Sequence, residues 1–485
     1  MSIRESSVAG ASAADARTGR LGLGPGIALY LASVLGTGLL VLPGLTARTA
    51  GPASILAVAL VTLLAVPLAG AFAALASRHP DPGGVASYAR RALGPTAARA
   101  TGYWFLFGVA AGGPVVAMLG AQYVAVVLSL DAAAVPPIAL AFLIGPFVTN
   151  LFGVHVTGWL QLALTGLLMA VVVTVVAVAA PAVDPAHLTP FLPHGWGGVG
   201  TAIVMFVWAF AGWEVGTHIS GEFRDPRRTI PIATTVTLLL SGASYLVLQV
   251  VTVGALGPSA GDGDAVLLDL ARLGDLPAAP ALIGAAAGIV ALGVLNVYLA
   301  AFSKLGASLA STSDLPRWMA KGVENGLVPR RALLVTGVLM LGYFALMLAA
   351  GGDLQPFILV HTASMVAIYA VGMIAAVRLL PRGSAGYRLA VAATVLTVGL
   401  LPLAGAALIV PAVLAGAAVL VTLLRRPPPD RRHRLTRRHP LLGAEPTLPG
   451  GSTRAGPASA RTQARRRYAR RPQTQDAASR RETAS

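Results

Sequence analysis

Cysteine is missing altogether from these 485 residues, and charged residues make up only 11% of them. The first absence excludes disulfides and thiolate chemistry. The second excludes an ordinary soluble globular chain, in which about a quarter of the residues are charged. Acidic residues are the scarcer sign, 19 against 36 basic ones. The chain also lacks metal-ligand spacing, a phosphate-binding glycine loop and a nucleophile elbow, so no cofactor or metal is expected. A membrane enzyme would need clustered carboxylates, histidines or metal ligands at one face, and a channel would need repeated polar rings; neither pattern is present. What remains is apolar: 55% hydrophobic residues and a mean hydropathy of +0.74. That composition belongs to an integral, all-α, polytopic membrane protein.

Twelve apolar stretches approach the roughly 20 residues a helix needs to cross the hydrocarbon layer. They cover 25–46, 53–76, 102–130, 136–153, 158–181, 198–221, 230–256, 278–306, 332–350, 354–379, 387–403 and 406–424. The last two form one apolar run that must turn back around Leu403 to Gly405. No cleavable signal pattern precedes the first stretch, which reads as a retained span. The organisation expected is an N-terminal segment 1–24, a membrane domain 25–424 and a tail 425–485.

With twelve spans, 34 of the 36 basic residues fall on the side of the two termini, leaving only Arg48 and Arg272 opposite. Basic residues near span ends are retained in the cytoplasm, so both termini are expected there, in a multi-pass cell (inner or plasma) membrane protein. The tail carries 16 arginines against Asp430, Glu445, Asp476 and Glu482. Such a segment cannot bury enough apolar surface to fold alone, and with no aromatic interleaving it gives no sign of nucleic-acid binding. Membrane lipids are its natural surroundings. A monomer and a homodimer are both compatible with the sequence.

Function must be sought in polar and helix-breaking residues at membrane depth. SVLGTGLLVLPG, residues 33–44, places Gly36, Thr37 and Gly38 where a spanning helix should be strongest; WAFAGWEVGTH places Trp208, Gly212 and Glu214 in the middle of the sixth stretch. Gly26 to Gly38 and Gly200 to Gly212 are both 12 residues apart, so the first and sixth spans read as counterparts. Two five-span halves in opposite directions, about 25–181 and 198–379, with 387–424 as extra helices, give a 5+5 inverted repeat with broken helices 1 and 6. A break frees N–H groups on one half-helix and carbonyls on the other. An amino acid complements both, its carboxylate at the N–H groups and its ammonium at the carbonyls. Small residues that merely permit close helix packing are the competing explanation for Gly36 and Gly38.

These stretches resemble the amino-acid/polyamine/organocation permeases. SVLGTGLLVLPG is similar to that family's unwound first span, and WAFAGWEVGTHISGEFRDPRRTIPIA to its sixth span and following loop. PDPGGVASYARRALG resembles its second-to-third loop and LPRWMAKGVENGLVPRRAL its eighth-to-ninth, all in family order. Within the family the look is closest to bacterial exporters of methionine and branched-chain amino acids. The resemblance implies a substrate carboxylate on the N–H groups of Thr37 and Gly38, next to Gly36, with the ammonium at carbonyls near Ser33, Val34 and Leu35 and around Trp208, Ala211 and Gly212. It implies Trp208 as the aromatic that occludes the site, and Tyr298, Phe107 and Ala111 as lining of the side-chain pocket. An apolar third span, YWFLFGVAAGGP, favours neutral aliphatic substrates.

Glu214 is the carboxylate nearest the middle of any span. Ionised and unpaired, it is costly at that depth, and no Lys or Arg shares its level, so a proton is its companion. The resemblance makes it the glutamate that links protonation to gating; a permanently protonated, structural Glu214 is the alternative. Asn150, Gln122, Gln161, Gln249 and Asn296 read as interhelical hydrogen-bond partners, His218 and His361 as bonded structural histidines, and Lys304 as a snorkelling side chain. The expected function is a secondary transporter of neutral aliphatic amino acids, proton-linked and working by efflux or exchange, with proton- or Na⁺-driven uptake as the alternative.

Overall fold

The computed structural model describes residues 22–80, 84–153, 158–214, 217, 220, 223–263, 265–274, 277–321 and 328–425. The terminal segment 1–21 and the tail from 426 onward lie outside them, as do His218 and the side chain of Gln161.

Sixteen α-helices are present among the described residues: α1 Leu23–Leu35, α2 Gly38–Ala50, α3 Ser54–Arg78, α4 Gly84–Leu93, α5 Pro95–Tyr103, α6 Gly112–Val127, α7 Val135–Leu151, α8 Gly158–Ala179, α9 Gly195–Ala209, α10 Pro226–Leu256, α11 Val266–Ala271, α12 Ala279–Ser311, α13 Arg330–Ala349, α14 Gln355–Leu379, α15 Ala385–Leu400 and α16 Ile409–Leu424. Nine helical runs are long and apolar enough to cross a membrane. Three of them, Leu23–Arg78, Pro95–Val127 and Ala385–Leu424, hold more than one α-helix, and the shorter apolar helix α9 stands apart from the nine.

The chain marks several boundaries chemically. Asp225 caps α10, accepting the Arg228 N–H at 3.4 Å, and Pro226 supplies the fixed φ of a first helical residue. The family-like FRDPRR sequence is thus a helix start. The turn expected around Leu403 to Gly405 falls within the 3-10 segment Leu401–Leu408, where Gly405 leaves helical geometry at φ 53°. The third span departs from a plain helix. A π-helical turn over Trp104–Gly108 and a 3-10 turn over Val109–Ala111 join α5 to α6.

Helix pairings recur in matched sets. α3 packs on α10, α6 on α12 and α2 on α9; α1 meets α8 as α9 meets α14; α1 meets α10 as α9 meets α3; α6 meets α7 as α12 meets α13. α15 lies against α3 and α14, and α16 against α5. Polar residues stitch the bundle as interhelical partners. Gln249 on α10 donates to the Pro43 carbonyl (3.1 Å) and to Ser54 Oγ (2.7 Å). Asn150 donates to the Asn296 carbonyl (3.2 Å), and Asn296 to Thr149 Oγ1 (2.9 Å). In hydrocarbon such bonds add to packing, since lipid tails are as apolar as leucine.

Candidate functional site

The first helix breaks at Gly36, whose φ of 25° and ψ of −154° only glycine adopts without strain; α2 resumes at Gly38 after Thr37. In the sixth stretch α9 stops at Ala209, and residues 210–214 form turns, with Gly212 at φ 134°. The two breaks meet. A Cβ on Gly212 would stand 2.5 Å from the Ser33 carbonyl oxygen, so the last turn of α1 lies directly on the second break. A Cβ on Gly38 would meet Tyr245 Oη at 2.6 Å and Ala209 Cβ at 3.2 Å. Val34, Leu35, Thr37 and Gly38 are buried, while Gly36 and Ala211 are partly exposed.

Two of the backbone groups at the breaks, the Leu35 carbonyl and the Gly212 N–H, have side-chain partners. Tyr245 Oη on α10 donates to the Leu35 carbonyl at 3.2 Å, so one of the carbonyls assigned from sequence to a substrate ammonium already accepts a protein hydrogen bond. The Gly212 N–H donates to Glu214 Oε2 (3.1 Å) and to Tyr369 Oη (3.0 Å), and Tyr369 Oη donates to the same Oε2 at 2.7 Å. Glu214 is 6% exposed, and its carbonyl accepts the Thr217 hydroxyl at 2.5 Å. Trp213 is 1% exposed, and its Nε1 has no hydrogen-bond partner among the described residues.

Trp208 is buried, with its ring edge-on to His361 at 6.1 Å. His361 Nδ1 in turn donates to the Val109 carbonyl at 2.9 Å, so it is hydrogen-bonded within the bundle. Ala111 is fully buried two residues on. Phe107 is only loosely part of this group: its ring packs edge-on to Tyr103 at 5.8 Å, and its carbonyl accepts the Tyr343 hydroxyl at 2.9 Å. Tyr298 leans on Phe302 at 5.5 Å. A cavity of about 10 Å³ adjoins Gly36, lined by Leu35, Leu164, Thr165, Leu168, Val290 and Val294, from α8 and α12 as well as α1. That is room for about one water. The lining of this cavity is aliphatic except for Thr165.

Sequence reasoning singled out both breaks and Glu214 but missed Tyr369 and Tyr245, whose hydroxyls bond to them. The available signal was a tyrosine in the middle of an apolar span, an apolar body with a polar end that needs a partner when buried. It also assigned no lining to α8, whose leucines carry no polar mark.

An amino acid permease family model matches residues 26–426. An uncharacterized amino acid permease of Bacillus subtilis (strain 168), YecA, is 31% identical over 396 residues, covering 81% of this chain and 92% of its own length. The L-methionine/branched-chain amino acid exporter YjeH of Escherichia coli (strain K12) is 31% identical over 298 residues, 59% of this chain and 68% of its own. A probable GABA permease of Pseudomonas aeruginosa is 26% identical over 337 residues, covering 64% and 68%.

Proposed function

We propose that this chain, which belongs to the amino acid permease family, moves neutral aliphatic amino acids across the cell membrane by alternating access, in proton-linked efflux or exchange. Amino acid transport by a multi-pass membrane protein is what its family and relatives have in common. The observation that carries the finer reading is the apposition of the two breaks, with the Ser33 carbonyl against Gly212. A zwitterion entering between them meets helix-end N–H groups from Thr37 and Gly38 and carbonyls from residues 33–35 and 208–211. The aliphatic lining beside Gly36 supports a neutral side chain, the class named for the Escherichia coli exporter.

Glu214 is the proton-responsive group in this reading. Its Oε2 holds the second break through Gly212 and reaches α14 through Tyr369, so its protonation acts on the contact between that break and α14, within the second half. The recurring helix pairings support the 5+5 inverted repeat, with α1–α8 and α9–α14 as the halves and α15 and α16 outside them. Twelve crossings with both termini in the cytoplasm follow from that repeat and from the basic loops.

Proteoliposomes loaded with a radiolabelled amino-acid panel, under imposed proton or Na⁺ gradients, test the proposal. Methionine, leucine, isoleucine and valine should exchange, with fluxes that follow the proton gradient. Uptake driven by Na⁺ alone, or preference for a charged substrate, would replace it.

A further inference from the structure

Away from the breaks, one buried carboxylate gathers three arginines. Asp314, which follows α12, pairs with Arg99 of α5 at 2.7 Å and accepts Thr312 Oγ1 at 2.9 Å. Arg99 spends its remaining donors on Thr422 Oγ1 and the Ala418 carbonyl of α16. Arg90 and Arg425 stand further off, at 3.6 and 3.8 Å from Asp314 oxygens, and both are about half exposed. Arg317, exposed, adds a fourth positive charge and is held by Ser313 Oγ at 3.0 Å. Because one carboxylate already committed to Arg99 cannot neutralise this set, Arg317 and Arg425 keep unspent charge and donors.

These two arginines rim a cleft of about 660 Å³ whose walls include Tyr103, Leu315, Pro316 and Val421. The cleft is therefore amphiphilic. It opens beside α16, which presents Val413, Leu420 and Leu424 outward at 64%, 56% and 75% exposure, the signature of a lipid-facing helix. We propose that the cleft binds an anionic phospholipid, its phosphate held by Arg317 and Arg425 and its glycerol and first methylenes lying on Pro316 and Val421. Arginine's fork matches phosphate oxygens, and basic recesses between membrane helices suit such headgroups. The apolar wall favours a lipid over a free anion. The inference does not depend on what is transported.

The full-length protein in nanodiscs containing a photoactivatable phosphatidylglycerol would give adducts that mass spectrometry maps to 313–317 and 421–425. Unlabelled phosphatidylglycerol should compete, whereas phosphatidylcholine and millimolar inorganic phosphate should not. The double variant Arg317→Ala/Arg425→Ala, altered only at exposed side chains, should lose these adducts by about tenfold or more. Val421→Trp fills the apolar wall without changing charge and should lose them to a similar degree. Equal competition by phosphatidylcholine, displacement by inorganic phosphate, or undiminished labelling of the double variant overturns the proposal. So does a loss confined to the charge variant, which would reveal diffuse surface attraction.

Discussion

At the first break, Gly36 and Thr37 separate two half-helices with no side-chain cap on either, and the Tyr245 hydroxyl that bonds the Leu35 carbonyl comes from another helix. At the second, the chain supplies its own partner: Glu214 folds back onto the Gly212 N–H, and Tyr369 completes the bond. Both breaks interrupt a helix in an apolar setting, yet one is built from backbone alone and the other carries a titratable group. The difference separates two tasks. In the proposed function, recognition of a zwitterion at the first break is insensitive to protonation of the protein, whereas the shape of the second depends on one carboxyl group.

Substituting the glycines tests that asymmetry most severely. Gly212→Ala combines a left-handed φ with a Cβ driven into the Ser33 carbonyl, and should destabilise by roughly 3 kcal/mol. Gly36→Ala meets open space and should cost only the backbone strain, about 1–2 kcal/mol. Unfolding of both variants in detergent ranks them, and equal melting temperatures would break the comparison.

The tyrosines come next in size. Tyr369→Phe takes a 2.7 Å donor from a buried carboxyl oxygen and a 3.0 Å acceptor from the Gly212 N–H, and should cost about 1.5–2 kcal/mol, while leaving the Gly212 bond to Glu214 in place. Tyr245→Phe removes a 3.2 Å bond to a carbonyl and should cost about 1 kcal/mol or less. The two also differ in kind, because only Tyr369→Phe should move the pH profile of transport. A shift of that profile in Tyr245→Phe would erase the division of tasks.

Smallest in stability and most informative is Glu214→Gln. Its amide oxygen can still accept from Gly212 and Tyr369, so substrate affinity should stay within about threefold of wild type. Exchange measured across a pH series should lose its slope, and an unchanged slope would leave Glu214 a structural role only.

Much of this layout was legible in the sequence because membrane helices announce themselves by length and hydropathy, and because breaks at that depth need glycine. Gly36, Gly212 and Glu214 stood out against an apolar background for those reasons. Packing was not legible. The resemblance offered Gly38 as a point of substrate approach; its missing Cβ also makes room for Tyr245 and Ala209, so Gly38→Leu would disturb the helix contact as well. Trp208 read as a lid over substrate, and its ring is already seated on His361. Phe107 read as pocket lining, and its ring packs edge-on to Tyr103. Such choices depend on which face of a helix meets which neighbour, and nearly uniform apolar spans carry no amphipathic pattern to say so.

The π-helical turn at Trp104–Gly108 bears on that last point in another way. It holds one residue more than α geometry would, so it acts as a phase adjuster between the two ends of the third span. Forcing all of its residues into regular α geometry, with none deleted, would rotate α5 relative to α6 by about 100°. Ala111 and Gly112 would keep their register against His361, but Arg99 would swing off Asp314 and Trp104 Nε1 off the Pro411 carbonyl it meets at 2.7 Å. Chain length in this short stretch, more than side-chain identity, sets the angle at which one end of the bundle is read by the other.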